Sequence, residues 1–209
     1  MIATPFPLEL PFTGRWLVQN SPASRVPSHG TELFGTSHAI DFVPVDASGR
    51  SAPRTLASLV VAERPEAFPG FGLPILAPVA GDVVTAHDGE PDHAAVRAPV
   101  AALWYALTQS SRIRAGAAAI AGNHVVIRSG GVLVLLAHLR SGSVRVRVGD
   151  VVRPSEQIGE CGNSGNSTEP HLHIQVSASV ARDGRGIPLV FRSATGAPWV
   201  PRDGEVVVA

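Results

Sequence analysis

The stretch that decides the fold of this chain is HLHIQV, residues 171–176. Polar and aliphatic side chains alternate along it, which is typical of a β-strand with one face packed on a core. On such a strand His171, His173 and Gln175 share one face, and the aliphatic residues between them share the other. Two imidazoles two positions apart on one strand could bind a metal ion, or they could be polar residues of an exposed face.

The composition agrees with a β-rich chain. Its 209 residues include 21 Gly and 18 Pro, and only 5% are aromatic. This mixture favours short strands joined by tight turns over a helical bundle. A chain of this length suits one domain and can bury a core without disulfides or structural metals.

The charged residues exclude several functional classes. The 17 basic and 17 acidic side chains give a formal net charge of zero, which argues against a nucleic-acid partner. All of the basic residues are Arg, so a lysine Schiff base or a P-loop lysine is excluded. The single Cys excludes an internal disulfide framework and a cysteine-rich metal site. The 8 His residues are therefore the feature to explain.

The sequence shows no obvious route to or across a membrane. No window approaches the roughly 18 apolar residues of a transmembrane helix. The start, MIATPFPLELPF, has no basic region before its apolar residues and does not resemble a secretory signal. The chain as written is expected to stay in the cytoplasm, and action outside the cell would need another export route. The oligomeric state is not indicated.

Several other segments have the patterns of strands. The run GNHVVIRSGGVLVLLAHL at 122–139 predicts a hairpin with its turn at Ser129–Gly131. The run PILAPVAGDVV at 74–84 predicts two strands that reverse at a glycine. Further strands are predicted at Arg15–Gln19, at 39–45, at the alternating Val144–Val148 and at Glu205–Val208. Residues 90–121 are an Ala-rich insertion with a helix predicted at 100–109.

Two isolated polar residues within apolar strands are further candidates for a site. Asp41 lies inside AIDFVPV, and a buried carboxylate needs a partner such as a metal ion or an Arg. His138 ends the apolar run VLVLLAHL, where a lone histidine is more often a residue at the edge of the core.

Five of these segments, in order, resemble the lysostaphin-type (LytM-like) zinc metallopeptidases. The resemblance covers roughly Val26 to Val180 and is carried by AIDFVPV, APVAGDVV, GNHVVIRSGG, LAHL and GNSGNSTEPHLHIQV. It implies a mainly β fold of compact antiparallel sheets, of the duplicated-hybrid-motif type, with a partly helical insertion near 90–121. Residues 1–25 are then expected to be an N-terminal extension packing on a peptidase domain of residues 26–209.

The resemblance also implies roles for individual residues. Asp41 and His173 would bind Zn²⁺, and His138 and His171 would be catalytic histidines that flank the metal-bound water and the scissile carbonyl group. Three protein ligands leave one tetrahedral position open for water, as in catalytic zinc sites. Asn123 stands where relatives often have an asparagine and would supply a supporting hydrogen bond.

The first metal ligand departs from the family pattern. The usual spacing is His-x-x-x-Asp, and here that position is Ser37. His38 lies three residues before Asp41 and would face the wrong side of a regular strand without a bulge. His29 lies in a loop that can fold back, and relatives with a Ser-His-Gly segment before the aspartate strand favour it. We predict His29 as the ligand, with His38 as the alternative and a metal-free relative as a third possibility.

The function predicted from the resemblance is a zinc-dependent metalloendopeptidase that hydrolyses peptide bonds of peptidoglycan stem or cross-bridge peptides. The alternative is a catalytically inactive regulator or binding module on the same fold. A phosphocarrier with two facing histidines shares the fold type, but Asp41 and the HLH sequence fit that function poorly.

The remaining candidates are interpreted without chemistry. His87 and His93 are predicted to be loop residues, and His124 to lie on a strand near the rim of the site. Cys161 is predicted to be a small packing residue. Arg145 and Arg147 are predicted to be the exposed face of a strand.

Overall fold

The fold is mainly β, as predicted, in a computed structural model that describes residues 4–53, 58, 61–96, 116–192 and 196–209. The strands within these ranges are β1 (Phe6–Leu8), β2 (Arg15–Gln19), β3 (Ile40–Pro44), β4 (Pro74–Leu76), β5 (Gly81–His87), β6 (Asn123–Ser129), β7 (Val132–Leu139), β8 (Val151–Val152), β9 (Gln157–Glu160), β10 (Leu172–Ser177), β11 (Leu189–Arg192), β12 (Pro198–Trp199) and β13 (Val206–Val208). Two 3₁₀ segments, Leu33–His38 and Pro65–Ala67, and a short helix α1 (Ala117–Ala121) accompany them. No helix in the described ranges is both long and apolar enough to cross a membrane.

Most of the strands form one sheet of eight, in the order β13-β2-β3-β10-β7-β6-β5-β8. Every neighbouring pair in this sheet is antiparallel. Two smaller sheets flank it, with the orders β1-β11-β12 and β4-β9. The HLHIQV strand, β10, is therefore an inner strand, between β3 and β7.

The main core lies against the aliphatic face of β10. Leu172, Ile174 and Val176 are fully buried in it, as the alternation of HLHIQV predicts. Aromatic residues fill much of the remainder. Phe12 stacks on Trp16 with ring centroids 4.4 Å apart, and Phe42 meets Phe12 and Phe191 edge to face in a chain of contacts that links β2, β3 and β11. Burying such rings contributes both apolar area and specific geometry.

A second, smaller apolar cluster covers the opposite face of the sheet. It consists of Ala121, Val126, Leu135 and Ala137, with Val180 packed against it. Because residues alternate along a strand, this is the face that also carries His173 and Gln175 of β10. Helix α1 contributes Ala121 to the cluster, so it lies over the same face.

The N-terminal strands belong to both larger sheets. β1 pairs in parallel with β11, and β2 pairs with β3 and β13. The division of the chain at residue 25 into an extension and a domain stays a prediction.

The hairpin of β6 and β7 and the strand β2 have the predicted positions, and residues 206–208 form the closing strand. The turn between β6 and β7 has positive φ at Gly130 and Gly131, a conformation that glycine adopts without strain. The helix predicted at 100–109 lies outside the described residues.

Two sequence-based expectations about strand pairing were wrong. Val144–Val148 is not a strand. The N–H of Arg145 donates to the carbonyl oxygen of Ile158, but no ladder of hydrogen bonds forms. Val146 is nevertheless buried, and Arg145 and Arg147 are exposed. The alternation therefore reports half-exposure rather than strand pairing.

The run at 74–84 gives two strands, but they do not pair with each other. β4 pairs with β9, and β5 pairs with β6 and β8. Gly81 is needed for contact rather than for a hairpin, because a Cβ there would lie 2.2 Å from the carbonyl oxygen of Arg128.

The aromatic chain of contacts predicts a large cost for removing one ring. Phe191 is fully buried, so Phe191→Ala should lower the free energy of unfolding by about 3–5 kcal/mol. Denaturant unfolding followed by circular dichroism measures this. Val148, which is 66% exposed, gives the control variant Val148→Ala, which should change stability by less than about 0.5 kcal/mol. Equal stability of the two variants would contradict the assignment of Phe191 to the core.

Candidate metal centre

The pairing of β10 with β3 places the two predicted ligands of these strands side by side. His173 lies opposite Asp41 in the register, and on its other side His173 lies opposite Ala137 of β7. His173 is 7% exposed and Asp41 is 6% exposed. Two neighbouring strands of an inner part of the sheet thus hold an imidazole and a carboxylate next to each other in a buried position.

His29 completes a triad with these two residues. Its Nε2 lies 3.1 Å from Oδ2 of Asp41, and Nδ1 of His173 lies 2.9 Å from Oδ1 of the same carboxylate. One potential ligand atom from each of the three residues lies within 4.8 Å of the other two. Two imidazole nitrogens and one carboxylate oxygen are a donor set that suits zinc, with one position left for water or substrate. These three residues could hold a metal ion.

The structure brings together His29, not His38, with the other two candidates. His38 ends the 3₁₀ segment Leu33–His38, and its Nδ1 lies 3.0 Å from the hydroxyl of Ser37. It lines a different cleft, together with Arg185. Burial and the charge of Arg185 lower the pKa of His38. The group of ligand atoms that meet at Asp41 in the described residues therefore includes His29 and does not include His38.

The electrostatics of the triad keep the carboxylate charged. Burial alone would raise the pKa of Asp41, but its interaction with His29, its hydrogen bonds with His173 and His29, and the nearby His171 outweigh it and hold this pKa well below its usual range. Burial would likewise lower the pKa of His173, but the hydrogen bond and charge of Asp41 outweigh it and raise the pKa. A buried anion between two imidazoles is an arrangement that a cation would stabilise.

Each member of the triad also has a neutral partner, which for His173 is Gln175, with Oε1 3.0 Å from Nε2 of the ring. Asn20 donates its side-chain N–H to Oδ2 of Asp41 at 2.8 Å, from a residue with φ of 50° just after β2. The hydroxyl of Ser28 lies 3.0 Å from Nδ1 of His29 and donates to the carbonyl oxygen of Thr36. Since that hydroxyl has one proton to give, it accepts from Nδ1–H of His29, so Nε2, the nitrogen that faces Asp41, is the atom that would bind a metal.

His138 and His171 lie beside the triad. The ring centroids of His138 and His171 are 4.7 Å apart, and those of His138 and His173 are 5.8 Å apart. Nε2 of His171 lies 3.8 Å from Oδ1 of Asp41. The five predicted site residues thus meet at one place, which lies in a cleft of the surface.

The Gly/Asn/Ser-rich loop before β10 fixes the proton position of both histidines. Nδ1–H of His138 donates to the carbonyl oxygen of Ser164 at 2.9 Å. Nδ1–H of His171 donates to the carbonyl oxygen of Glu169 at 2.8 Å. A main-chain carbonyl can only accept, so both rings carry a proton on Nδ1 and have Nε2 available. Burial, and then the neighbouring His171 and His173, lower the pKa of His138, which keeps its ring neutral.

Asn123 and Ser164 attach this loop to the hairpin. The amide of Asn123 donates to the carbonyl oxygens of Glu90 and Leu139, and its backbone N–H donates to the hydroxyl of Ser164. The same hydroxyl donates to Leu139. The predicted supporting hydrogen bonds of Asn123 are therefore present, and they act on the loop rather than on the metal ligands directly.

The cleft beside the centre has a largely aliphatic wall. The wall includes Ile120 of α1, Leu135 of β7 and Val180, together with the small side chains of Ala121 and Ala137. Glu169 is a carboxylate in the lining, and its Oε2 accepts a hydrogen bond from Ser51 at 2.6 Å.

The other histidines and the cysteine lie outside the triad. Nε2–H of His93 donates to the carbonyl oxygen of Gly165 at 3.0 Å. The prediction of His87 as a loop residue was wrong: it ends β5 opposite His124 of β6, and the two rings stack with centroids 5.3 Å apart. Cys161 is fully buried, and burial raises the pKa of its thiol, so the thiolate that a nucleophile needs is disfavoured.

Sequence analysis did not identify Asn20, Ser28 and Gln175 as partners of the triad. The sequence could have indicated Gln175, because it shares a face with His173 in HLHIQV. No sequence pattern indicates Asn20 and Ser28, since only the folded loops bring them to Asp41 and His29.

A zinc-binding experiment distinguishes His29 from His38 as the first metal ligand. We expect His29→Ala to weaken Zn²⁺ binding by at least about 100-fold, because a ligand is lost, and His38→Ala to leave binding unchanged. Competition against a chelator of known affinity measures both. The reverse pattern would show that His38 moves to the metal when an ion binds.

The sequence profile of peptidase family M23 matches residues 67–184. This match includes His138, His171 and His173, whereas His29 and Asp41 lie before it. No curated protein sequence matches the chain significantly.

Solved structures give weaker likenesses. The catalytic domain of the antimicrobial peptidase lysostaphin from Staphylococcus simulans has 19% identity and a TM-score of 0.37, over 70% of this chain and 71% of that one. A catalytic-domain variant of the prophage-encoded M23 protein EnpA from Enterococcus faecalis has 17% identity and a TM-score of 0.40, over 90% and 92% of the two chains. Helicobacter pylori Csd3 has 18% identity and a TM-score of 0.43, over 95% of this chain but 36% of that one. The family match covers more than half of the sequence, and the chain belongs to peptidase family M23.

Proposed function

We propose that the protein is a zinc-dependent metalloendopeptidase that hydrolyses peptide bonds in peptidoglycan stem or cross-bridge peptides. The observation that carries the proposal is the meeting of three ligand atoms, from His29, Asp41 and His173, with two further histidines whose Nε2 atoms are free. Membership of peptidase family M23 supports peptide hydrolysis, and the resemblance in sequence supports peptidoglycan as the substrate.

His29 through Nε2, Asp41 through a carboxylate oxygen and His173 through Nδ1 would hold the ion. When bound, Zn²⁺ supplies a Lewis acid that polarises a carbonyl group and lowers the pKa of water. Asn20 and Ser28 keep the carboxylate and the His29 ring in place through the hydrogen bonds described above. Asp41 and His173 are buried and His29 is half-buried, which limits competition from bulk water.

His138 and His171 would move the protons of the reaction. Each ring has a proton on Nδ1 and a lone pair on Nε2, because the loop carbonyls of Ser164 and Glu169 accept from Nδ1. The lone pair can accept a proton from the attacking water. Once protonated, the same Nε2–H can donate a hydrogen bond to the developing oxyanion or give its proton to the leaving amine.

The lining of the cleft supports an endopeptidase. An enzyme that binds a free C-terminal carboxylate needs a cationic side chain near the scissile bond. The described residues that line this cleft include no Arg. The small side chains of Ala121 and Ala137 and the aliphatic wall leave room for short side chains such as that of alanine.

Removing each histidine tests these roles. We expect His138→Ala and His171→Ala to lower kcat/KM by about 10²–10⁴-fold while Zn²⁺ still binds, since they are not ligands. We expect His173→Ala to lose both hydrolysis and stoichiometric zinc. Release of new amino groups from purified peptidoglycan, with mass spectrometry of the fragments, measures hydrolysis and identifies the bond. Elemental analysis measures the metal.

His87→Ala is the matched control, because its side chain is 39% exposed and lies outside the triad. It should keep both zinc and activity. A purified wild-type chain that binds zinc but releases no fragments from any peptidoglycan would favour the inactive binding module, and a chain without zinc affinity would overturn the proposal.

A further inference from the structure

Gln175 lies directly beside the metal-facing imidazole but points away from the metal position. Its Oε1 is 3.0 Å from Nε2 of His173, and Nδ1 of the same ring faces Asp41. Gln175 is 3% exposed, so its amide has no alternative partner in bulk water. The two ring nitrogens of His173 thus face two different acceptors.

The orientation of the amide is set by a main-chain group. Nε2 of Gln175 donates to the carbonyl oxygen of Phe34 at 2.8 Å. The opposite orientation would place the amide oxygen against that carbonyl oxygen, which leaves two acceptors in contact and no proton between them. The amide oxygen therefore faces His173, and it can only accept.

The main chain at Phe34 is itself held by a further hydrogen bond. The N–H of Phe34 donates to the carbonyl oxygen of Arg182 at 2.9 Å. Phe34 and Gly35 have φ values of 58° and 79°. A Cβ on Gly35 would lie 2.6 Å from Cβ of Ser177, so a glycine here lets the segment approach β10 closely enough for the hydrogen bond to Gln175.

We propose that Gln175 is a positioning residue, which holds a proton on Nε2 of His173, so that Nδ1, the nitrogen that faces Asp41, is the atom that gives up its proton and binds the metal. These three hydrogen bonds all run in the same direction: His173 donates to Gln175, Gln175 donates to Phe34, and Phe34 donates to Arg182. A fixed tautomer removes the free-energy cost of reorganising the ligand when the ion binds. The importance of this for catalysis rests on the proposed function, but the proton position does not.

Three variants separate positioning from packing. Gln175→Leu has similar size but neither accepts from His173 nor donates to Phe34. Gln175→Glu restores the acceptor for His173. Ser177→Ala is the matched control, since Ser177 lies two residues further on the same face and its buried hydroxyl has no hydrogen-bond partner among the described residues.

The proton position is read from long-range ¹H–¹⁵N spectra of protein labelled at histidine, with and without zinc. We expect the zinc-loaded wild type to carry the His173 proton on Nε2 and the metal on Nδ1. We expect Gln175→Leu to bind zinc about 10–100-fold more weakly than wild type, and Gln175→Glu and Ser177→Ala to bind no more weakly than wild type. Thermal melting shows whether each variant is folded.

A proton on Nδ1 of His173, with the metal on Nε2, overturns the proposal. So does a folded Gln175→Leu variant with the zinc affinity of Ser177→Ala. If Gln175→Leu does not fold, the wild-type and Gln175→Glu spectra decide. If the wild type binds no zinc, the proposed function fails, but the metal-free spectra still test the role of Gln175. Slow exchange of the Nε2 proton of His173 supports a hydrogen bond to Gln175, and fast exchange of that proton overturns the proposal.

Discussion

The structure depends on the contact between His173 and Asp41, which face each other across β10 and β3. The contact is a matter of register: a slip of β10 by one residue would turn His173 to the face opposite Asp41. The apolar residues of the same two strands, such as Ile174 and Phe42, fill the main core and fix that register. The energy that aligns the two polar residues therefore comes from the apolar side chains between them.

Proton positions in the centre are set largely by main-chain carbonyl groups. Ser164 and Glu169 accept from Nδ1 of the two non-triad histidines, while Thr36 and Phe34 set the proton positions of His29 and His173 through Ser28 and Gln175. Carbonyl groups do not titrate and cannot donate, so none of them can reverse the direction of its hydrogen bond. Carboxylates in these positions would instead bring extra negative charge into a buried centre.

The sequence was informative where chemistry follows periodicity. Alternation identified β10, and the apolar runs identified the hairpin of β6 and β7, on which four of the five site candidates depend directly or through pairing. It failed where geometry comes from loops. The choice between His29 and His38 needed the path of residues 28–38, and nothing in the spacing shows that Asn20 and Ser28 reach Asp41 and His29. The strand predicted at Val144–Val148 failed because exposure alternates there without pairing.

The partners His173 and Asp41 are 132 positions apart in the chain. Contacts between such distant positions carry a large loop-closure cost and form late, which slows folding. During synthesis, His29 and Asp41 are made well before HLHIQV. They therefore lack His173, the third member of the triad, while β4 to β9 are synthesised. The three candidate ligand atoms therefore cannot meet until β10 has paired with β3, so the metal centre is complete only after this inner pair of strands has formed.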